Sequence, residues 1–445
     1  SFFVLYWQSL QKIISIVPFA LFTLYYTFFP IIIIIIACCI VFKSCSHRFF
    51  MFSFLYKYFK LESERRWRIM QLSDKFFTFD TGEKSHFFDI ITSSELSLSL
   101  FSIGASIQKI AFKGNKWSDH TETYGNELPI TLSSGNPDFY RICPCYAGAT
   151  LAPNAGRISG SSILLGGETI PLTPNEGANQ LHGGPHNLSA QNWNTEFVRQ
   201  DYDSVSIGFS AFLADGVDGY PGNRTFHAEY TLDDSNWLTI RYRASTDRPT
   251  YINMSNHTYW NLSGDFSSST LDETLTVFAN NVCLNNEEHI PVEIIPIART
   301  IFDFSSPASL KSRLDFLPRE EKLRSRCRRQ LSIARGYNHA FILSRDQTSR
   351  NFRSLPQPVR KACILSDPVS GHSITLYTDA PALVIYSGGF LDDSIGFPDG
   401  THSCPSCAIA LEAQDVPDSP HVLPEHFSIT TPEHPFERTI RIQIR

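Results

Sequence analysis

The stretch Val205–Ala211 reads VSIGFSA and the stretch Leu238–Ala244 reads LTIRYRA, each with an apolar side chain at every second position. Successive side chains on a strand point to opposite faces, so this alternation predicts strands with one buried and one wetter face. The same period recurs outward in both directions. Leu96, Leu98 and Leu100 alternate with Glu95, Ser97 and Ser99, and Ile374/Leu376 and Ile440/Ile442/Ile444 repeat it. Between the runs lie Asp215-Gly216, Asp218-Gly219, Pro221-Gly222-Asn223 and Leu232-Asp233-Asp234, residues that accept tight-turn backbone. Long amphipathic helices are nearly absent. The best candidate, Ala308 to Arg329, is interrupted by Pro318. Strands at short intervals without a βαβ rhythm predict an all-β chain, a large antiparallel β-sandwich. No fixed period marks a propeller or solenoid.

A chain of 445 residues with 42% hydrophobic side chains can bury a large core as one unit. Its formal net charge of -6 supplies no basic field, which argues against nucleic acid as a partner. One basic run, Arg319 to Arg329, is interleaved with Glu320 and Glu321 and reads as a solvated helix or loop insertion. The ten cysteines are scattered. Cys143/Cys145 and Cys404/Cys407 form close pairs, but a zinc site would want further support, and no metal is expected. Reduced thiols in a reducing, cytoplasmic setting are the default.

The N-terminal segment reads differently. From Ile13 to Phe42 there is no charged residue, a length sufficient to span a bilayer, with Lys12 before it and Lys43, Arg48 and Lys57 after it. The first 60 residues are dominated by Phe, Ile, Tyr, Leu and Ser, and composition changes around Leu61 to Arg68. Two readings fit: translated noncoding DNA, or a membrane anchor through residues 13–42 that would provide the chain's only membrane contact. The division expected is a hydrophobic extension over residues 1–69 and a catalytic β-sandwich over residues 70–445.

Three clusters in that body break the strand pattern with polar side chains. They are Pro153–Ile158 with the downstream Asn179–Gly184, then Asn253–Leu262, then Ala410–Asp415. Singly, His257, Glu412 and Arg157 each have a plain structural reading as a core histidine, a strand residue and an ion-pair partner. Together they supply a base, an acid, amides and aromatic rings. Sugars need that composition: hydrogen-bond partners for hydroxyls and an aromatic surface for the C–H face.

The stretches AGATLAPNAGRI, NEGANQLHGG, DGVDGYPGN, NMSNHTYWNLSG, GYNHAFIL and ALEAQDVPDSP occur in this order from about Phe79 to the end. In that ordered set the chain resembles the galactose mutarotase (aldose 1-epimerase) family. The resemblance implies that family's type of β-sandwich, with an open cleft across one sheet, and a mechanism without metal or cofactor. It implies a small-molecule monosaccharide as the partner and anomer interconversion of a free hexose, such as galactose or glucose, as the activity. By the matching motifs, Glu412 is the general base, His257 the general acid, His182 a second contact near the reacting atoms, and Arg157 a ligand of hydroxyls. The substrate-binding aspartate of the family's GYDH stretch is Asn338 here, beside His339, and a common glutamine is Val384. Both departures bear on which hexose is taken, a modified one included.

Ring opening of a hemiacetal needs the C1 hydroxyl to lose a proton while the ring oxygen gains one. A carboxylate and an imidazolium flanking that region perform both transfers, and histidine beside a carboxylate is expected to have a raised pKa. No hydride moves, so no cofactor is implied. Trp260 or Tyr259 could face the ring. Two other classes compete: a glycoside hydrolase pairing Glu412 with Asp218 or Asp415, and a non-catalytic carbohydrate-binding sandwich.

Overall fold

Strand Arg224–Asp233 alternates buried and half-buried residues along its whole length, with Phe226, Ala228, Tyr230 and Leu232 inward. It sits within a nine-stranded antiparallel sheet. The order is Asn194–Gln200, Ser204–Leu213, Arg224–Asp233, Trp237–Thr246, Phe436–Ile444, Ser373–Thr378, Arg360–Ser366, Thr274–Val277, Ala308–Ser309. The computed structural model describes residues 70–113, 127–344, 358–397, 401–423 and 428–445. The expectations placed on residues 1–69, anchor or translated noncoding DNA, lie outside the described residues.

A six-stranded antiparallel sheet runs Tyr259–Trp260, Ile409–Gln414, Ala382–Tyr386, Asn338–Leu343, Ala279–Asn285, Pro291–Pro296. A five-stranded sheet is formed by Gln71–Thr78, Lys84–Ile91, Leu96–Phe101, Ser106–Lys113 and Glu127–Pro129. Phe88 and Leu98 from the five-stranded sheet, Phe209, Ile240 and Leu376 from the nine-stranded one, and Ile385 and Leu411 from the six-stranded one share one apolar core. The all-β antiparallel class read from alternation is therefore the observed one. Burying these side chains contributes roughly 25 cal/mol per Å² of apolar surface, the dominant favourable contribution to folding.

One expectation needs correction. Leu96–Phe101 is buried on both faces, not one. Its serines avoid the penalty of buried polar groups by hydrogen bonding: Ser99 Oγ donates to Asp89 Oδ1 at 2.5 Å, and Ser97 Oγ to the Ala111 carbonyl at 3.3 Å.

The helical candidate also divides differently. Ser309 caps a short helix, Leu310–Leu314, by accepting from the Ser312 N–H at 3.2 Å. After Pro318 the chain forms Glu321–Ala334, which ends where Arg335 adopts the left-handed conformation before Gly336. The basic run is thus helical, and more than a solvated excursion. Arg326 and Arg329 pair with Glu293 and Glu287, while Cys327, Gln330 and Ala334 are buried. Gln330 Oε1 accepts from the Asn285 N–H at 2.8 Å and binds His339 Nε2 at 3.0 Å, so this helix braces one end of the six-stranded sheet.

Candidate active site

Strand Ile409–Gln414 is fully buried, and Glu412 lies opposite Val384 in its register. His257 follows the short strand Ser255–Asn256, where its N–H donates to the Ala149 carbonyl at 2.9 Å and its carbonyl accepts from Gly148 N–H at 3.0 Å. Gly148 has φ +69°, and a Cβ there would stand 2.0 Å from the Ile107 carbonyl oxygen. Only glycine lets the two backbones approach this closely. His257 Nε2 thereby comes within 3.7 Å of Glu412 Oε1.

Both face a cleft of about 590 Å³, within the range typical of small-molecule sites. All five residues singled out from sequence line it: Arg157, His182, His257, Asn338 and Glu412. Arg157 and His182 are brought together by pairing of Arg157–Ile158 with Gln180–Leu181, which sets Leu181 opposite Arg157. His182 has φ +50°, unusual for a residue with a side chain and characteristic of strained functional positions. Its Nδ1 accepts the Gly156 N–H at 3.1 Å, which leaves Nε2 as the protonated nitrogen. Its ring stands edge-on to His257, 5.6 Å between centroids.

Arg157 is held in a fork by Glu176, through Nε at 2.5 Å and Nη2 at 2.8 Å. Bidentate pairing fixes the guanidinium plane. The Asn338 carbonyl accepts from Asn285 Nδ2 at 2.8 Å, and its N–H donates to His339 Nδ1 at 3.0 Å. His339 is thus committed to structure, its pKa pushed down to about 3 by burial. Val384 and Ala340 form an apolar strip in the cleft wall beside Glu412.

Burial dominates the electrostatics. It pushes Glu412 up to about 8, against a smaller opposing pull from Arg157. It pushes His257 down to about 4. His182 is also lowered, by burial first and then by the neighbouring His257 and Arg157 charges. The expected raising of His257 by its carboxylate neighbour is therefore overturned. Desolvation disfavours both charged forms, and an apolar wall offers Glu412 no compensating donor.

Several lining residues escaped the sequence reading: Tyr146, Glu176, Asn285, His289, Tyr386 and Gln414. Gln414 was within reach, since it lies two residues past Glu412 on the same strand face. His289, in the turn between Ala279–Asn285 and Pro291–Pro296, carried no local signal. Asn285 Oδ1, His289 Nδ1, Gln414 Oε1 and His257 Nδ1 are buried without a hydrogen-bond partner. All four residues line the cleft, and their polar side chains suit a ligand rich in hydroxyls. Of the two candidate ring faces, Tyr259 lines the cleft, whereas Trp260 belongs to the core.

The carboxylates weighed for hydrolysis are engaged elsewhere. Asp218 accepts the His186 N–H at 2.8 Å and pairs with His186 Nδ1 at 2.9 Å. Asp415 pairs with Arg438 at 2.7 Å. Neither lines the cleft. Among the described residues no group of three or more His, Cys, Asp or Glu side chains is arranged to hold a metal. Among the described residues no helix is long and apolar enough to cross a membrane.

A family model described as aldose 1-epimerase matches residues 90–433. Aldose 1-epimerase of Escherichia coli K12 is 33% identical over 300 residues, 67% of this chain and 79% of the relative. Galactose mutarotase of Mus musculus is 27% identical over 331 residues, 74% and 85% of the two chains. The crystal structure of galactose 1-epimerase from Lactobacillus acidophilus NCFM superposes with a TM-score of 0.68 at 23% identity, covering 84% of this chain and 99% of that one.

Proposed function

Because this chain belongs to the aldose 1-epimerase family, we propose that Glu412 and His257 interconvert the α and β anomers of a free hexose. Residues 70–445 are the catalytic unit in this reading, and a neutral hexose such as galactose or glucose is the substrate. The observation that carries it is the 3.7 Å approach of Glu412 to His257 in a cleft also lined by Arg157, His182, Asn338 and Gln414.

The pair shares one proton. A carboxylic acid beside a neutral imidazole and a carboxylate beside an imidazolium hold the same number of protons and the same net charge. Burial favours the first form. Sugar hydroxyls donating to the carboxylate, with Arg157 nearby, stabilise the second. In that form Glu412 takes the proton from the C1 hydroxyl as the C1–O5 bond breaks, and His257 protonates O5. The aldehyde rotates about C1–C2. O5 then attacks the other face of C1, returning its proton to His257 while Glu412 protonates the new hydroxyl. His182 Nε2–H, Arg157, Asn338, Asn285 and Gln414 hold the remaining oxygens, and Tyr259 offers its ring.

Optical rotation of freshly dissolved α-galactose and α-glucose, at low buffer concentration, tests this. Equilibration is expected to be faster than the uncatalysed control, with a nitrophenyl galactoside left intact. Failure to accelerate either sugar, in folded protein, overturns the reading.

The same pair sets the pH dependence. The active form carries one proton, so kcat/KM falls below about pH 4, where His257 gains a second proton, and above about pH 8, where Glu412 loses the last one. A rate limb falling between those values, near the ordinary histidine pKa of about 6.5, would contradict this assignment.

A further inference from the structure

Cys143 and Cys145 lie in the wall of the cleft, on the turn that follows the short helix Phe139–Ile142. Their sulfurs stand 2.8 Å apart. Both thiols are free and partly exposed, so they are accessible to a small reagent entering the cleft. The proposed reaction uses neither sulfur. The next residue, Tyr146, has φ +58°, and its ring lies 4.7 Å from His182 and 6.2 Å from His257. Any change in the turn is therefore passed to a side chain packed on His182 and close to His257.

The chemistry of the two thiols is unequal. The Cys145 thiol donates to Cys143 and pulls the Cys143 thiol down to about 7, while Cys145 itself is pushed up by that bond and by burial. The more acidic sulfur is the one that attacks a disulfide. The other close pair differs. Cys407 is fully buried and pushed up to about 11, and Cys404 is raised as well, both by burial. Both therefore carry little thiolate, and Cys407 is closed to reagent although Cys404 is partly exposed.

We propose that Cys143 and Cys145 form a redox-active dithiol in the cleft wall, which closes to a disulfide by exchange with a low-molecular-weight disulfide of the glutathione type. The Cys143 thiolate attacks one sulfur of oxidised glutathione and releases one glutathione thiolate, which takes a proton. Cys145 gives up its proton and attacks the Cys143 sulfur of the mixed disulfide, releasing the second glutathione. Two protein thiols are oxidised and one glutathione disulfide is reduced to two thiols, so atoms and electrons balance. A disulfide of about 2.05 Å needs each sulfur to move by well under an ångström from its present place. The turn tightens, and Tyr146 shifts against His182.

The test incubates the full chain with oxidised glutathione, blocks remaining thiols, and maps the mass of each cysteine peptide. The expected product is a peptide spanning both residues and about 2 Da lighter, restored by dithiothreitol. C143S is expected to stay at the reduced mass, C145S to stop at the glutathione adduct on Cys143, and C404S to oxidise as the parent does. In the parent protein, a persistent glutathione adduct without ring closure, or oxidation confined to Cys404 and Cys407, overturns the proposal. The mass readout stands whether or not the chain turns over galactose. In active protein, closure is expected to raise KM for galactose at least about threefold with kcat less affected. Closure that leaves KM unchanged overturns the coupling to Tyr146.

Discussion

Replacing Glu412 by glutamine is expected to lower kcat for α-galactose by about 10²–10⁴-fold with little change in KM, because positioned proton transfer is what the substitution removes. Glutamine keeps the volume and the hydrogen-bonding reach of the side chain but cannot take the C1 hydroxyl proton. The loss should therefore fall on kcat, as for an interaction made in the transition state. His257→Asn is expected to give a loss of similar size, and the double variant little more than either single one. One proton shared between two groups 3.7 Å apart makes them a unit, and removing either leaves no relay. Optical-rotation progress curves on the three variants measure this. Additive losses would show two independent catalysts and refute the shared proton.

The second large effect is on stability. Arg438 and Asp415 are both buried and pair at 2.7 Å. Arg438 Nη1 also donates to Asn253 Oδ1 at 2.9 Å and to the Met254 carbonyl at 3.2 Å. The guanidinium thus ties the end of the Glu412 strand to the segment leading into His257. Arg438→Met is expected to destabilise the fold by about 3–5 kcal/mol, since it leaves a buried carboxylate without its partner. Adding Asp415→Leu is expected to recover most of that loss, because an apolar pair needs no compensation for desolvation. Urea unfolding followed by tryptophan fluorescence gives both numbers. A midpoint unmoved by Arg438→Met would show that the pair contributes nothing.

Alternation at Val205–Ala211 and Leu238–Ala244, with turn residues between the runs, carried the all-β antiparallel class, because strand periodicity and turn chemistry act over a few residues. Motif order located Arg157, His182, His257, Asn338 and Glu412, and the strand period alone places Gln414 on the face of Glu412. Those inferences need no knowledge of what lies across the fold. Tertiary structure alone decided the rest. The Val384–Glu412 register sets an apolar side chain against the carboxylate. Pairing of Ala149 and Gly148 with His257 brings imidazole to carboxyl. Gln330, on a helix that reads as a charged excursion, holds Asn285 and His339 beneath the cleft. Most of all, the proton inventory of the site was not local. Residue type assigns a carboxylate and an imidazolium, but desolvation depends on every wall that closes around a group, and here it drives Glu412 up and His257 down to a neutral pair.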